Sequence, residues 1–330
     1  MEQQDTPSDR AVAAFKVQRP LYEKLVQEVT FALTDRLAAK ALKVVSVSGR
    51  AKEEASFREK ISRKNYVDPM KEITDFAGVR VVCNYESDLD EAADVVRANF
   101  QLHEESDKGH DLGVEKMGYN GRHFIVSLGP RYSGIRYDQI AALKCEIQVR
   151  TVLQDAWALI SHNLVYKNEA TIPKRLHRDL NNVASLLEIA QGVFDNVREK
   201  REAYRAEITT RVADSVDFLS QPVDFDTLLA YTTWKFPDLP TSDQWNERLG
   251  RDLDPQAYPT LAQIDPAVET ARAPVAAYRA ENPYWFKTGT DFITKSLGFV
   301  DPKFRAKHAF ARRTLEAFDK YSGLLPTPRQ

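Results

Sequence analysis

The stretch LKCEIQVR (143–150) decides the fold. Side chains on a strand alternate between its two faces. Leu143, Cys145, Ile147 and Val149 therefore fall on one side, and Lys144, Glu146, Gln148 and Arg150 on the other. The apolar side belongs in a core. The polar side either meets water or floors a cleft. Working outward, GVRVVCNY (78–85) has the unbroken apolar run of a buried strand, and HFIVSLG (123–129) and LKVVSVSG (42–49) read as two more. Between them lie helical patterns from Tyr22 to about Lys40, over 52–64 and over 89–98. Residues 103–120 are polar and glycine-bearing, the composition of a loop. Strands interleaved with helices predict an α/β (α+β) fold, a mixed central sheet of about five strands flanked by helices. A mostly helical C-terminal extension follows.

The second half begins with Leu176, Leu180, Val183, Leu187, Ala190, Phe194 and Val197, a narrow apolar seam on a long helix over 173–204. Such a seam packs on its own domain or joins two copies of the chain. Beyond it come two aromatic-rich stretches, Tyr231–Phe236 and Tyr284–Phe286, with no catalytic signature.

Composition narrows the class. The chain has 330 residues, 43% hydrophobic and 28% charged, and a formal net charge of −2. These values suit a soluble globular protein, and they require any anion site to be built by local clustering of Lys and Arg. Cys83 and Cys145 sit inside strand-like apolar runs without a CxxC pair, consistent with buried thiols in a reducing cytoplasm. No apolar run approaches the roughly 20 residues that span a bilayer.

Three further segments carry chemistry. In RAKEEASFREKISRK (50–64), Ser56, Lys60, Arg63 and Lys64 share one helix side, just after Arg50 and Lys52. That is a solvated basic face or a set of donors converging on a polyphosphate. In ITDFAGVRVV (73–82), Asp75 stands at a strand entrance, with Arg80 five residues on. An acid there caps a turn or holds Mg²⁺, which prefers carboxylate oxygens together with phosphates. In MGYNGRHF (117–124), two glycines flank Tyr119, presenting it as a hairpin residue or as a stacking platform for a base.

The order of these segments is more specific than any one of them. A basic helix is followed by xxDxxGxRxx, then GYxxxH, then EIQVRT and W-x₄-H-x₃-YK. That string resembles the synthetase domain of the RelA/SpoT homologue family, especially its stand-alone alarmone synthetases, over about residues 20–205. The resemblance implies a flexible start over 1–20, a nucleotidyltransferase-like synthetase domain over 21–205 with its long helix, and a helical region of unassigned role over 206–330. It implies transfer of pyrophosphate from ATP to the ribose 3′-hydroxyl of GDP or GTP. Arg50 and Arg80 would clasp adenine, and Lys52, Ser56, Lys60 and Lys64 would hold the phosphate tail. Asp75 would bind Mg²⁺ with Glu146 beside it, and Glu146 would be the catalytic base. Tyr119, His123, Gln148, Asp155, His162 and Lys167 would line the acceptor side. No hydrolase-type His-Asp pair precedes the domain, so synthesis without degradation is expected.

The departures cluster on the acceptor side. Where the family reads GYRSxH, this chain has Gly118-Tyr119-Asn120-Gly121-Arg122-His123. Asp155 stands where the small synthetases often carry Asn, and Ser161 replaces an acid. Two alternatives follow. One is a toxic relative acting on the 3′ end of tRNA, for which Lys303, Arg305, Lys307, His308, Arg312 and Arg313 offer a basic stretch. The other is a nucleotide-sensing pseudoenzyme.

Overall fold

The computed structural model describes residues 7–64, 66–107, 121–165 and 174–326. By internal contacts the chain divides into two compact units, Met1–Val197 and Arg198–Gln330.

The first unit is a five-stranded mixed sheet with helices. In chain order it comprises α1 (Pro7–Ala39), β1 (Val44–Ala51), α2 (Glu54–Arg63), α3 (Pro69–Glu72), β2 (Ala77–Cys83), α4 (Asp88–Asn99), β3 (Phe100–Asp107), β4 (Arg122–Leu128), β5 (Cys145–Thr151), α5 (Val152–Val165) and α6 (Lys174–Arg211). The α6 helix runs on into the second unit. The strand order is β1-β2-β5-β4-β3. Only β2 and β5 pair in parallel; β1–β2, β5–β4 and β4–β3 are antiparallel. The two central strands bury their apolar side: Ala77, Val79, Val81, Cys145, Ile147 and Val149 are each no more than 2% exposed. Both cysteines are free and buried. Burial, with Asp88 nearby, pushes the Cys83 thiol up to about 12, so neither is built as a nucleophile.

Two expectations change. The segment 7–20, expected as part of a flexible start, is the first half of α1, and Val12 and Phe15 are buried in the core. Pro20 lies inside that helix and does not end it, because core packing on both sides outweighs one lost backbone hydrogen bond. Residues 103–107, expected in a loop, belong to β3. This is an edge strand with Gln101, Leu102, His103, Glu104 and Glu105 exposed, so it lacks the apolar alternation that marks a buried strand.

Two packing contacts set the geometry of the polar side. Phe15 of α1, Phe57 of α2 and Phe76 just before β2 stack together, with centroids 4.9 Å (Phe15–Phe57), 5.3 Å (Phe15–Phe76) and 5.4 Å (Phe57–Phe76) apart. Tyr22 joins at 5.0 Å from Phe76. Phe57 is the buried anchor of α2, so this aromatic knot fixes the basic helix against the entrance of β2. At Gly49, α1 lies so close to β1 that an added Cβ would meet Val26 Cγ1 at 2.6 Å and Thr30 Oγ1 at 2.8 Å.

The second unit is helical: α7 (Ser215–Leu219), α8 (Phe225–Lys235), α9 (Asp243–Asp252), α10 (Leu261–Thr270), α11 (Arg272–Glu281), α12 (Gly289–Val300), α13 (Pro302–Lys307) and α14 (Arg312–Tyr321). Side-chain caps start several of these helices, as at Asp224 for α8, Thr288 for α12 and Asp301 for α13. Phe218, Leu228, Tyr231, Leu261, Ile264 and Leu297 form one core, and Tyr278, Phe286, Phe292 and Phe318 a second. Among the described residues, no helix is long and apolar enough to cross a membrane.

The close approach at Gly49 is testable. Gly49→Val is expected to lower stability by about 1–3 kcal/mol through overpacking, read as a lower urea midpoint with an unchanged slope.

Candidate active site

Register brings the polar side chains together. Gly78 pairs with Arg50 on one side and Glu146 on the other. Two residues along, Arg80 pairs with Gln148, which pairs in turn with His123 of β4. Paired residues of adjacent strands project to the same face. One face therefore presents two rows, Arg50–Gly78–Glu146 and Arg80–Gln148–His123. A cleft of about 500 Å³ opens above them, lined by Arg50, Lys52, Ser56, Asp75, Arg80, Glu146 and Gln148 among others.

The basic end is tied to Asp75. Lys52 N donates to Phe76 O at 2.7 Å, extending the β1–β2 ladder past the strand and setting Lys52 beside Asp75. Lys52 Nζ then donates to Asp75 Oδ2 at 2.8 Å. Lys60, one turn along α2 from Ser56, reaches Asp75 Oδ1 at 2.9 Å as an ion pair without hydrogen-bond alignment. Burial alone would raise the Asp75 pKa, but the two lysines outweigh it and hold the carboxyl below its usual range. Arg19 of α1 clamps the β1–α2 turn, donating to Lys52 O at 3.4 Å and to Glu53 at 2.8 Å.

Glu146 is held from two sides. His123 Nδ1 lies 2.8 Å from Glu146 Oε1, and Gln148 Nε2 donates to Glu146 Oε2 at 3.0 Å. Behind them, Arg150 Nη2 lies 3.2 Å from His123 Nε2. A guanidinium only donates, so Nε2 is the acceptor of the neutral imidazole and Nδ1 carries the proton given to Glu146. His123 and Arg150 are each 7% exposed, which locks this chain of bonds.

Arg80 has a second partner. Its Nη1 lies 2.7 Å from Asp155 Oδ1 on α5, while its Nε is buried without a hydrogen bond. The turn from β5 into α5 is a capping box: Gln154 N donates to Thr151 Oγ1 at 3.2 Å and Thr151 N donates to Gln154 Oε1 at 2.9 Å. That turn carries Asp155 back over β2. The sequence signal was the T-x-x-Q spacing, which went unread.

The expected site residues thus divide. Arg50, Lys52, Ser56, Asp75, Arg80, Glu146 and Gln148 line the cleft, Lys60 reaches it through Asp75, and His123 supports it from behind Glu146. Asp155, expected to meet the acceptor, is engaged with Arg80. Lys64 is exposed and is not among the lining residues, because the chain turns extended there (φ −130°, ψ 138°) and ends the helical row. Tyr119, Lys167 and the side chain of His162 lie outside the described residues. Gly121, where the family has Ser, packs its backbone onto β5, and a Cβ would collide with Val149 O and Arg150. Arg150 and Arg19 are supporting residues to which sequence reasoning gave no role. Of the basic C-terminal stretch, Lys307 donates to Arg251 O and Leu253 O, and Arg305 to Gly298 O and Phe299 O. His308 pairs with Asp252 and Arg312 with Glu316, so much of that run serves internal contacts.

Among the described residues, no cluster of three or more His, Cys, Asp or Glu side chains forms a self-sufficient metal site. Asp75 and Glu146 nevertheless line one cleft, where Asp75 is met by Lys52 and Lys60. Two carboxylates fit a hard divalent cation that takes its remaining ligands from water and phosphate.

The polar face of this mixed α/β sheet thus sets two carboxylates and several cations around one cleft. Residues 49–171 match the family described as the region found in RelA / SpoT proteins. GTP pyrophosphokinase YjbM of Bacillus subtilis is 30% identical over 167 residues, covering 48% of this chain and 75% of that protein. GTP pyrophosphokinase YwaC of the same bacterium is 29% identical over 141 residues, covering 42% of this chain and 65% of YwaC. A solved GTP pyrophosphokinase family protein from Streptococcus pneumoniae shares the fold with a TM-score of 0.50 at 22% identity, covering 58% of this chain and 96% of that one. The chain belongs to the RelA/SpoT family, as its motif order implied.

The Asp75 ion pairs set a pH dependence. A carboxyl whose pKa falls on folding contributes stability above its unfolded pKa of about 4 and loses it as pH drops through the folded value. Asp75→Asn should therefore cost about 1 kcal/mol at pH 7. The gap from the wild-type urea midpoint should close as the pH is lowered below about 4.

Proposed function

We propose that this protein transfers pyrophosphate from ATP to the ribose 3′-hydroxyl of GDP or GTP. The observation that carries the reading is the convergence of Arg50, Lys52, Asp75, Arg80 and Glu146 on one cleft in a chain of this family. The printed activity of its relatives, GTP pyrophosphokinase, supports the same reading.

Arg50 and Arg80 present guanidinium planes able to stack on adenine. Lys52, Ser56 and Lys60, grouped near Asp75, would hold the polyphosphate tail. Mg²⁺, held by Asp75 and Glu146, would neutralise phosphate charge during transfer. Glu146 takes the acceptor's proton. The 3′-oxygen then bonds to the β-phosphorus, the bond from that phosphorus to the oxygen bridging to the α-phosphate breaks, and AMP departs. His123 and Gln148 hold both Glu146 oxygens by hydrogen bonds, fixing its direction. An acceptor proton is thus met by an oriented carboxylate.

The test uses ATP labelled on the β-phosphate with GDP, GTP or deacylated tRNA in separate reactions. Label in GDP or GTP supports this reading. Label in tRNA alone would replace it with the toxic relative, and ATP binding without transfer with the sensor. Glu146→Gln is expected to lower turnover by about 100-fold or more, with ATP affinity nearly unchanged; undiminished turnover would remove Glu146 from the role of base.

The long helix supports a second element of the proposal, self-association. Leu186, Ile189, Val193, Phe194 and Val197 of α6 are 52–65% exposed, a longer apolar stripe than a solvated helix face carries. Its occupant is a second copy of this chain. Light scattering after size-exclusion chromatography should give more than one chain per particle, reduced to one by Ile189→Glu with Val193→Glu.

A further inference from the structure

The second unit contains a groove open to solvent, of about 550 Å³, lined by residues of α8, α10, α11 and α12, within the size range of small-molecule sites. Its wall is one face of α11. Arg272, Val275, Ala276, Arg279 and Ala280 recur at helical spacing, with the two alanines leaving room between the two arginines. Its floor is Phe292, 5.0 Å from Phe236 and 4.9 Å from Phe286, residues from the two aromatic stretches that the catalytic cleft does not use.

The charges around it are unequally committed. Lys235 is held by Asp265 at 2.7 Å and Glu269 at 2.6 Å. Arg272 lies 3.7 Å from Glu269. Arg279 has no carboxylate partner among the described residues; its guanidinium lies over the Phe292 ring, 5.1 Å from the centroid. A guanidinium resting on a ring keeps its in-plane N–H groups for an anion. With Lys235 and Arg272 facing Glu269 of α10, Arg279 is the lining cation left for a ligand, which suits a single anionic group.

We infer that this groove is a binding site for a small molecule with a flat apolar body and a single anionic group, an aromatic monocarboxylate, whose carboxylate pairs with Arg279. The body lies against Ala276 and Ala280, beside the Arg279–Phe292 pair. The site belongs to the second unit alone and does not depend on the reaction assigned to the cleft.

Equilibrium dialysis of the full chain with 2-naphthoate tests this. One molecule is expected per chain. Arg279→Gln and replacement of the probe by neutral 2-naphthylmethanol should each weaken binding by about tenfold or more. Ala276→Trp, a change at an exposed position that fills the groove, should abolish it, and both variants should keep the wild-type circular dichroism. Absence of naphthoate binding up to about 1 mM, or equal binding by the alcohol and by Arg279→Gln, would overturn the assignment.

Discussion

The parallel pairing of β2 with β5 is the constraint on which the rest of the site depends. It sets Gly78 beside Glu146 and Arg80 beside Gln148. A slip of one residue would turn every one of these side chains to the opposite face. The slip is forbidden by the other face, where Val79, Val81, Ile147 and Val149 are fully packed under helices. The apolar core thus enforces the polar geometry: burying one side of two strands fixes which residues face the cleft and in what order.

A second layer of control comes from around the sheet. The aromatic knot of Phe15, Phe57 and Phe76 brings α2 to the mouth of β2, where Lys60 meets Asp75. The capping box at Thr151 and Gln154 turns α5 so that Asp155 meets Arg80. Neither device touches the cleft, yet each decides where a charged group sits. Gly121 shows the same dependence in reverse. The close packing of its backbone on Val149 and Arg150 leaves no room for a side chain there, so glycine at this position follows from how the chain enters β4.

The amino-acid pattern made the central strands and several basic residues of the cleft legible, because periodicity 2 in LKCEIQVR and the basic spacing of 50–64 are local signals. It did not reveal β3, whose exposed edge position removes the need for an apolar face. It did not reveal the first half of α1, which the burial of Val12 and Phe15 ties to the core. Nor did it reveal the bond between Arg80 and Asp155, or the Arg150–His123–Glu146 chain, since both join segments distant in sequence. Local rules read elements well. They do not read which charged groups the tertiary fold makes neighbours.

The pairing of Lys52 and Lys60 with Asp75 has a consequence for how the cleft receives an anion. Both ammonium groups already possess a counterion, so the resting cleft works as an ion exchanger and not as an open positive well. On the proposed function, an entering polyphosphate would take over the lysines from the carboxylate and leave that carboxylate in want of a cation. Entry of negative charge and demand for positive charge are thereby linked at a single side chain.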